Sequence, residues 1–464
     1  MSGLAQSSCS SASAAEVWHG LLRPGVELTP AFCTDLNARM RASRLTFGDR
    51  VHCPFLRPFF LTEEDDQRVR VVAETIARLG ERVAKQALAD TRLLAQVALS
   101  PEEERLARIR PRPATVSTAS RLDAFLLPGS LEFAEYNAES PAGAGYAETL
   151  ADVFQALPLM ARFQEHYRAR KYPLMSRLLA ALLESYKEWG GQVSPPVTAI
   201  VDWREVPTWS EFEILQAHFE KQEVPTIVCD PRDLVFARGR LSANGRPIDL
   251  LYRRVLINDI VARPAECEAL VQAYAAGAVC MANELSCKIP HKKAFFAVLT
   301  DERNDALFNE RERELIRRHI PWTRLLADVR TTRNGETVGL LEHVRAHRSE
   351  LVLKPNDEYG GTGVNLGWEM DTGQWDAAVN RALADPSRAW VVQERIQVRR
   401  EVFPMQTEKG VEMRDMLVDF APYLFRGQMA GFLTRLSATG LANVTSGGGQ
   451  VPAFVVTPAG SGSN

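Results

Sequence analysis

Three oxygen-bearing side chains are spaced so that they can meet. Residues Arg121 to Gly145 read RLDAFLLPGSLEFAEYNAESPAGAG, two short strands joined by a turn at Pro128-Gly129-Ser130. Asp123 lies on the first strand; Glu135 and Asn137 lie two apart on the second and therefore point to one face. If the strands pair as a hairpin, Asp123 lies across from them. Two carboxylates and an amide oxygen are hard ligands that suit Mg²⁺, which takes one or two carboxylates and completes its shell with water and nucleotide phosphate. An acidic hairpin residue is ordinarily a solvated one. Here Phe125, Leu126, Leu131, Phe133 and Ala134 make the strands half-buried, and converging polar groups at a buried sheet need a partner.

A second chemical stretch is LVLKPNDEYGGTGVNLG, Leu351 to Gly367. An apolar strand ends in Lys354-Pro355, and a loop with Gly360, Gly361, Thr362 and Gly363 leads to another strand. Such a loop lets backbone N–H groups approach phosphate oxygens closely, and a lysine at the strand end supplies the matching charge. It is neither GxGxxG nor a P-loop, and the alternative is an ordinary glycine hairpin. In WVVQERI, Trp390 to Ile396, an apolar strand is broken by Gln393-Glu394, which in a nucleotide site would offer hydrogen bonds to adenine. Lys292 and Lys293 precede the apolar helix AFFAVL. Arg435 lies late on a strand, followed by a glycine loop at Asn443 to Gly449.

These residues need a frame. The chain has 464 residues, room for two or three domains, and its hydrophobic and charged fractions of 45% and 24% are those of a globular protein. A net charge of −3 without a basic block argues against a nucleic-acid partner. Seven scattered cysteines without a CxxC pair argue against a zinc knuckle or disulfide framework and fit a reducing cytoplasm. No apolar run is long enough for a membrane span.

Residues 1–15 are Ser/Ala-rich and are expected to be a disordered tail rather than a signal peptide. Residues 16–104 read as a helical region. Within it Thr62-Glu63-Glu64-Asp65 caps a long helix, and Ser100-Pro101-Glu102-Glu103 caps a short one. The hairpin and further helices fill 105–190. Gly190-Gly191 then opens a region, 191–280, with a strand at Val197–Val201, a helix from Trp209 and a strand at Pro225–Cys229. That is a βαβ unit with a parallel strand pair. Its first turn carries no glycine fingerprint, so a dinucleotide site is not expected. A turn at Asn244-Gly245 leads to Tyr252-Arg253-Arg254, whose arginines either bind an anionic substrate or form salt bridges. Residues 281–456 carry the lysine, glycine-loop and hinge strands, and 457–464 form a loose tail.

Together these motifs resemble the ATP-grasp superfamily. Arg121-Leu122-Asp123, Glu135-Tyr136-Asn137 and Ser140-Pro141-Ala142-Gly143 look like its magnesium strands. Lys354 with Gly360-Gly361-Thr362-Gly363 looks like its phosphate lysine and glycine loop, and Gln393-Glu394 like its adenine hinge. The metal strands come first in this chain, which resembles the circularly permuted members, including the synthetase domain of glutathionylspermidine synthetase. In that group an Asn-Lys pair opens an apolar helix; Lys293-Ala294-Phe295-Phe296 matches, with Lys292 in place of Asn.

The resemblance covers roughly residues 105–455 and implies an α+β or α/β permuted ATP-grasp fold with an additional βαβ domain and an N-terminal helical region. It implies ATP and Mg²⁺ as cofactors, and small-molecule or peptide carboxylate and amine substrates joined through an acyl phosphate. Asp123, Glu135 and Asn137 would hold the metal. Lys293, Lys354, the glycine loop, Gln393 and Glu394 would hold ATP. Arg435 and Arg121 would face the transferring phosphate, and Ser140 and Arg253 the substrate. A phosphotransferase of the same fold and a non-catalytic nucleotide-binding module are the alternatives.

Overall fold

The computed structural model describes residues 10–23, 25, 28–47, 50–112, 115–438 and 448–460. The glycine-rich stretch expected at Asn443 to Gly449 lies largely outside them. Two antiparallel sheets face each other across a cleft. The larger has six strands, in the order Gly449–Val451, Gln428–Ser437, Gly410–Phe425, Ala119–Leu127, Ser130–Asn137, with Arg399–Thr407 pairing with the first half of the long Gly410–Phe425 strand. The smaller has four, in the order Thr323–Leu325, Trp390–Glu394, Leu351–Pro355, Asn365–Leu366. Each side has its own core. Trp322, Leu353, Trp375 and Val392 fill the one behind the smaller sheet, separate from the main core.

The expected hairpin forms as Ala119–Leu127 and Ser130–Asn137, closed by Pro128-Gly129 with Gly129 at φ +101°. Proline followed by a residue at positive φ suits a type II turn. Behind it runs the 27-residue helix Glu63–Ala89, capped by Thr62 as expected and burying Val69, Val72, Ile76, Leu79 and Val83. Gly80 of this helix admits the hairpin, since a Cβ there would meet Tyr136 Cε1 at 2.8 Å.

The βαβ unit is present. Thr198–Val201 and Thr226–Cys229 pair in parallel around the helix Trp209–Lys221, within a four-stranded parallel sheet completed by Leu250–Arg253 and Cys280–Ala282. Asn283 ties this sheet to the hairpin. Its Oδ1 accepts from the Ala119 N–H at 2.8 Å and its Nδ2 donates to the Ala119 and Ala138 carbonyls at 2.7 and 2.9 Å.

Three expectations are corrected. Residues 11–15 belong to the helix Ser11–Leu21, capped by Ser10 and buried through Trp18, because Ser and Ala tolerate a helix once a Trp anchors it. The N-terminal region also contributes the strand Phe59–Thr62. That strand pairs in parallel with Ala453–Pro458, which pairs on its other edge with Tyr167–Arg170, so the start of the expected loose tail is the end of a central strand. Among the described residues no helix is long and apolar enough to cross a membrane, and the six described cysteines are buried free thiols.

Candidate active site

The hairpin register sets Asp123 directly opposite Glu135 and Arg121 opposite Asn137. A register shift between Asp123 and Ala124 makes Ala134 an extra residue on the second strand. Such bulges re-aim neighbouring side chains. Asp123 Oδ1 accepts from Arg121 Nε at 3.0 Å, and Oδ2 from Arg435 Nη2 at 2.5 Å. Glu135 Oε1 accepts from Asn137 Nδ2 at 3.1 Å, and Oε2 lies 3.2 Å from Lys293 Nζ. The three expected metal ligands therefore sit together, and every carboxylate oxygen already faces a donor.

Burial alone would push both carboxyls up. The guanidinium groups of Arg121 and Arg435 outweigh it and hold Asp123 well below the usual carboxylate range. At Glu135, burial and the Asp123 charge are together outweighed by Lys293, Lys354 and the Asn137 hydrogen bond, and the carboxyl is lowered. Two ionised carboxylates and an amide fit a hard divalent cation. Among the described residues no group of three His, Cys, Asp or Glu side chains is gathered for a metal, so the mixed set of Asp123, Glu135 and Asn137 is the candidate.

Arg435 faces Asp419 across adjacent strands, with Nε 2.6 Å from Asp419 Oδ2. Sequence reasoning missed Asp419. It is 1% exposed, and its Oδ1 has no hydrogen-bond partner. Burial and the nearby Asp123 charge push it up to about 7 despite Arg435. A lone acid at the centre of an apolar strand was the available signal.

Lys354, at the end of the strand Leu351–Pro355, donates from Nζ to Gln393 Oε1 at 2.7 Å, and Gln393 Nε2 donates to Thr323 Oγ1 at 3.0 Å. The Gln393 side chain thus orients the lysine. The Glu394 carboxylate is likewise engaged, by Arg333 and by the Trp322 N–H at 3.2 Å. Both side chains of this dipeptide are thus held by protein partners in this structure. Burial and the charge of Lys293 lower Lys354 to about 8.

The loop that follows has Gly360, Gly361 and Gly363 at φ +65°, +76° and +73°. A Cβ at Gly363 would meet Pro355 Cγ at 2.7 Å, so this position needs glycine for space as well as for φ.

One cleft of about 1030 Å³, open to solvent, unites these parts. Asp123, Glu135, Asp419 and Arg435 line one end. Lys293, Lys354 and the glycine loop flank it, and Phe125, Ala134, Val352, Leu366, Ile396 and Val398 supply apolar walls.

Ser140 and Arg253 are placed elsewhere. Ser140 Oγ donates to the Arg253 carbonyl at 3.0 Å, joining the hairpin's exit to the parallel sheet. The Arg253 side chain is fully buried. It reaches Glu139 Oε1 at 3.2 Å, the Val255 carbonyl at 2.5 Å and Cys287 Sγ at 3.3 Å. Its expected substrate contact is corrected: an arginine at the end of a parallel strand is drawn inward here because Glu139 is buried beside it.

The family model for circularly permuted ATP-grasp type 2 matches residues 128–437. The chain belongs to this family. The ATP-grasp cleft therefore accounts for the paired sheets, and family membership implies that it binds ATP. The match begins just after Arg121 and Asp123, which the hairpin register nonetheless brings to the Glu135 side of the cleft. A Frankia alni protein named "Putative glutamate--cysteine ligase 2-3" is 27% identical over 221 residues, 45% of this chain and 24% of that protein. An uncharacterized Mycobacterium tuberculosis protein is 25% identical over 355 residues, 71% of this chain and 58% of its own length. The ATP-grasp chain thus spans about a quarter to under two thirds of these relatives. The solved structure of a glutathione synthetase-like effector from Globodera pallida superposes with a TM-score of 0.62 at 12% identity, covering 93% of this chain and 99% of that one, a likeness of fold.

Proposed function

We propose that this chain is an ATP- and Mg²⁺-dependent carboxylate–amine ligase that forms an amide bond through an acyl phosphate. One observation carries the reading. Lys293, Lys354, Arg435 and the ionised carboxylates of Asp123 and Glu135 line a single cleft beside apolar walls, as a nucleotide with its phosphates requires, and Arg121 stands behind Asp123. The name of the Frankia relative, a glutamate–cysteine ligase, points to the same reaction class.

In this reading Lys293 and Lys354 bind phosphate oxygens, with Lys354 aimed by Gln393 and Thr323. The glycine loop covers the phosphates and excludes water, which protects an acyl phosphate from hydrolysis. The substrate carboxylate attacks the γ-phosphorus and the bond to ADP breaks. Arg435 and Arg121 hold the transferring group through the charge that spreads over its oxygens. The amine nitrogen then bonds to the acyl carbon, phosphate departs, and the amine proton passes to solvent. Asp123, Glu135 and Asn137 would hold Mg²⁺, which supplies neutralisation of the phosphate charge when bound.

Calorimetric titration with Mg-ATP tests the nucleotide half. Wild type binds, and Lys354→Met loses about 30-fold in affinity, the worth of one charge-assisted contact of about 2 kcal/mol. Equal affinity in both proteins would remove Lys354 from the site. Phosphate release that requires an amine separates a ligase from a phosphotransferase.

A pH dependence follows from the same lysine. Its lowered value in the free protein means that it loses its proton above about 8, whereas phosphate binding favours the charged form. Mg-ATP affinity should therefore fall as pH rises from about 8 to 10, by at most about tenfold per pH unit. The slope should be absent in Lys354→Met; a flat wild-type profile would contradict the assignment.

A further inference from the structure

The N-terminal region lies outside the matched family segment, yet one of its carboxylates reaches the root of the glycine loop. Glu103, on the short helix Pro101–Ala107, closes its capping box through Oε2, which accepts from the Ser100 N–H at 2.8 Å. Its Oε1 accepts from Lys292 Nζ at 2.7 Å. The same ammonium donates to Asp357 Oδ2 at 2.6 Å. Lys292 is thus a buried bridge between two carboxylates.

Asp357 sits between Lys354 and the glycines. Its neighbour Asn356 fastens the same point twice more. Asn356 Nδ2 donates to the Val97 carbonyl at 2.9 Å, and Asn356 Oδ1 accepts from the Ala294 N–H at 2.8 Å. One residue further on, the Glu358 carbonyl accepts from Lys293 Nζ at 2.6 Å, and the glycines follow. Lys292 and Glu103 are 6% and 5% exposed.

Asp357 also receives Lys288 Nζ at 2.7 Å. Lys288 lies 3.1 Å from Glu139 Oε2, and Glu139 pairs with Arg253. Three carboxylates (Glu103, Asp357, Glu139) balance three cations (Lys292, Lys288, Arg253). Packing does not require such a set, because well-packed apolar side chains of similar volume are often as stable as a buried ion cluster. A charge-balanced cluster does fix geometry, since each member has partners at only one separation.

We infer that Glu103 and Lys292 are positioning residues for the nucleotide: the Glu103–Lys292–Asp357 bridge sets the root of the glycine loop and aims Lys293, which makes the N-terminal region part of the ATP site. The inference rests on the nucleotide reading above. Without Glu103, Lys292 is left to Asp357 alone, the cluster carries an uncompensated positive charge, and the loop root keeps only the Asn356–Val97 hydrogen bond to the N-terminal region.

The variant Glu103→Gln tests this and keeps an amide oxygen for the capping box. Mg-ATP calorimetry should show affinity about tenfold weaker, the scale of coupling carried by a residue that touches no ligand. Hydrogen exchange in the nucleotide-free protein should show faster exchange over residues 358–364, with protection in the helix Pro101–Ala107 unchanged. A purely structural role would not confine the change to the loop. Lys292→Arg, which still spans both carboxylates, should bind Mg-ATP near wild type, whereas Lys292→Met should match Glu103→Gln. Unchanged affinity and unchanged loop exchange in Glu103→Gln would overturn the inference while leaving the nucleotide reading intact. If wild type itself does not bind Mg-ATP, the nucleotide reading fails and takes the positioning role with it.

Discussion

Arg435→Met should turn over at about one thousandth of the wild-type rate or less, with Mg-ATP affinity changed only a few-fold. An arginine that stabilises charge on a transferring phosphoryl group contributes about 10³ to 10⁵ in kcat. Arg435 is the cation of the larger sheet that pairs with both a metal-ligand candidate, Asp123, and Asp419. Its removal should be tolerated by the fold. Asp123 keeps Arg121, and Asp419, already raised to about 7 with Arg435 present, is held neutral without it. A buried neutral carboxylic acid costs far less than a buried carboxylate. Arg435→Lys, which retains the charge but not the forked geometry, should recover part of the loss. Single-turnover measurement of ADP formation reads the phosphoryl step directly. A wild-type single-turnover rate in Arg435→Met would place this residue outside the chemistry.

Arg253→Met should have its largest effect on stability, not on substrate affinity. The Arg253 and Glu139 side chains are both fully buried. Removing one partner of such a pair leaves the other charge uncompensated, which costs about 3–5 kcal/mol. Glu139 also accepts from the Ile257 N–H and pairs with Lys288, so it keeps some compensation, and the lower end of that range is expected. Urea unfolding should show a lower midpoint at an unchanged slope. If Arg253 instead contacts substrate, the midpoint will hold and the KM for the acid or amine will rise. The two outcomes separate the structural role found here from the substrate role that its position after an apolar strand had suggested.

The contrast between Asp123 and Arg253 explains what could be read in advance. The hairpin that carries Asp123, Glu135 and Asn137 was legible because two-residue alternation and a Pro-Gly turn are local rules, and they determine which side chains share a face. Lys354 and the glycine loop were legible for the same reason. Asp419 was not, because its meaning depends on lying beside Arg435 and near Asp123, and those neighbours come from separate strands of the sheet. For Arg253 the sequence left a substrate contact and a salt bridge both open, because periodicity gives the face of a strand but not what covers that face, and the structure shows the salt bridge. Gln393 and Glu394 were found, but their partners Lys354 and Arg333 lie on other strands, and those partners decide what the side chains are free to do. The sheet formed by Phe59–Thr62, Ala453–Pro458 and Tyr167–Arg170 brings together segments hundreds of residues apart, and no local pattern encodes such pairing. The first turns of Ser11–Leu21, residues 11–15, were hidden by their Ser/Ala composition, although Trp18 further along the helix was the anchor.

The donors that occupy Asp123 and Glu135 also bear on the order of events. Arg121, Arg435 and Lys293 occupy the carboxylate oxygens that a divalent cation would need, and the same three side chains are the ones that phosphates attract. Each phosphate oxygen that draws one of them away liberates a ligand for the metal. On the proposed function, nucleotide and metal would therefore be thermodynamically linked, and whatever factor one adds to the affinity of the other would be returned in equal measure. Free Mg²⁺ alone meets carboxylates already neutralised and gains little by displacing their partners. On the function proposed above, the cleft would take the two as a pair, with positive cooperativity arising from an exchange of counter-ions and no movement of the backbone required.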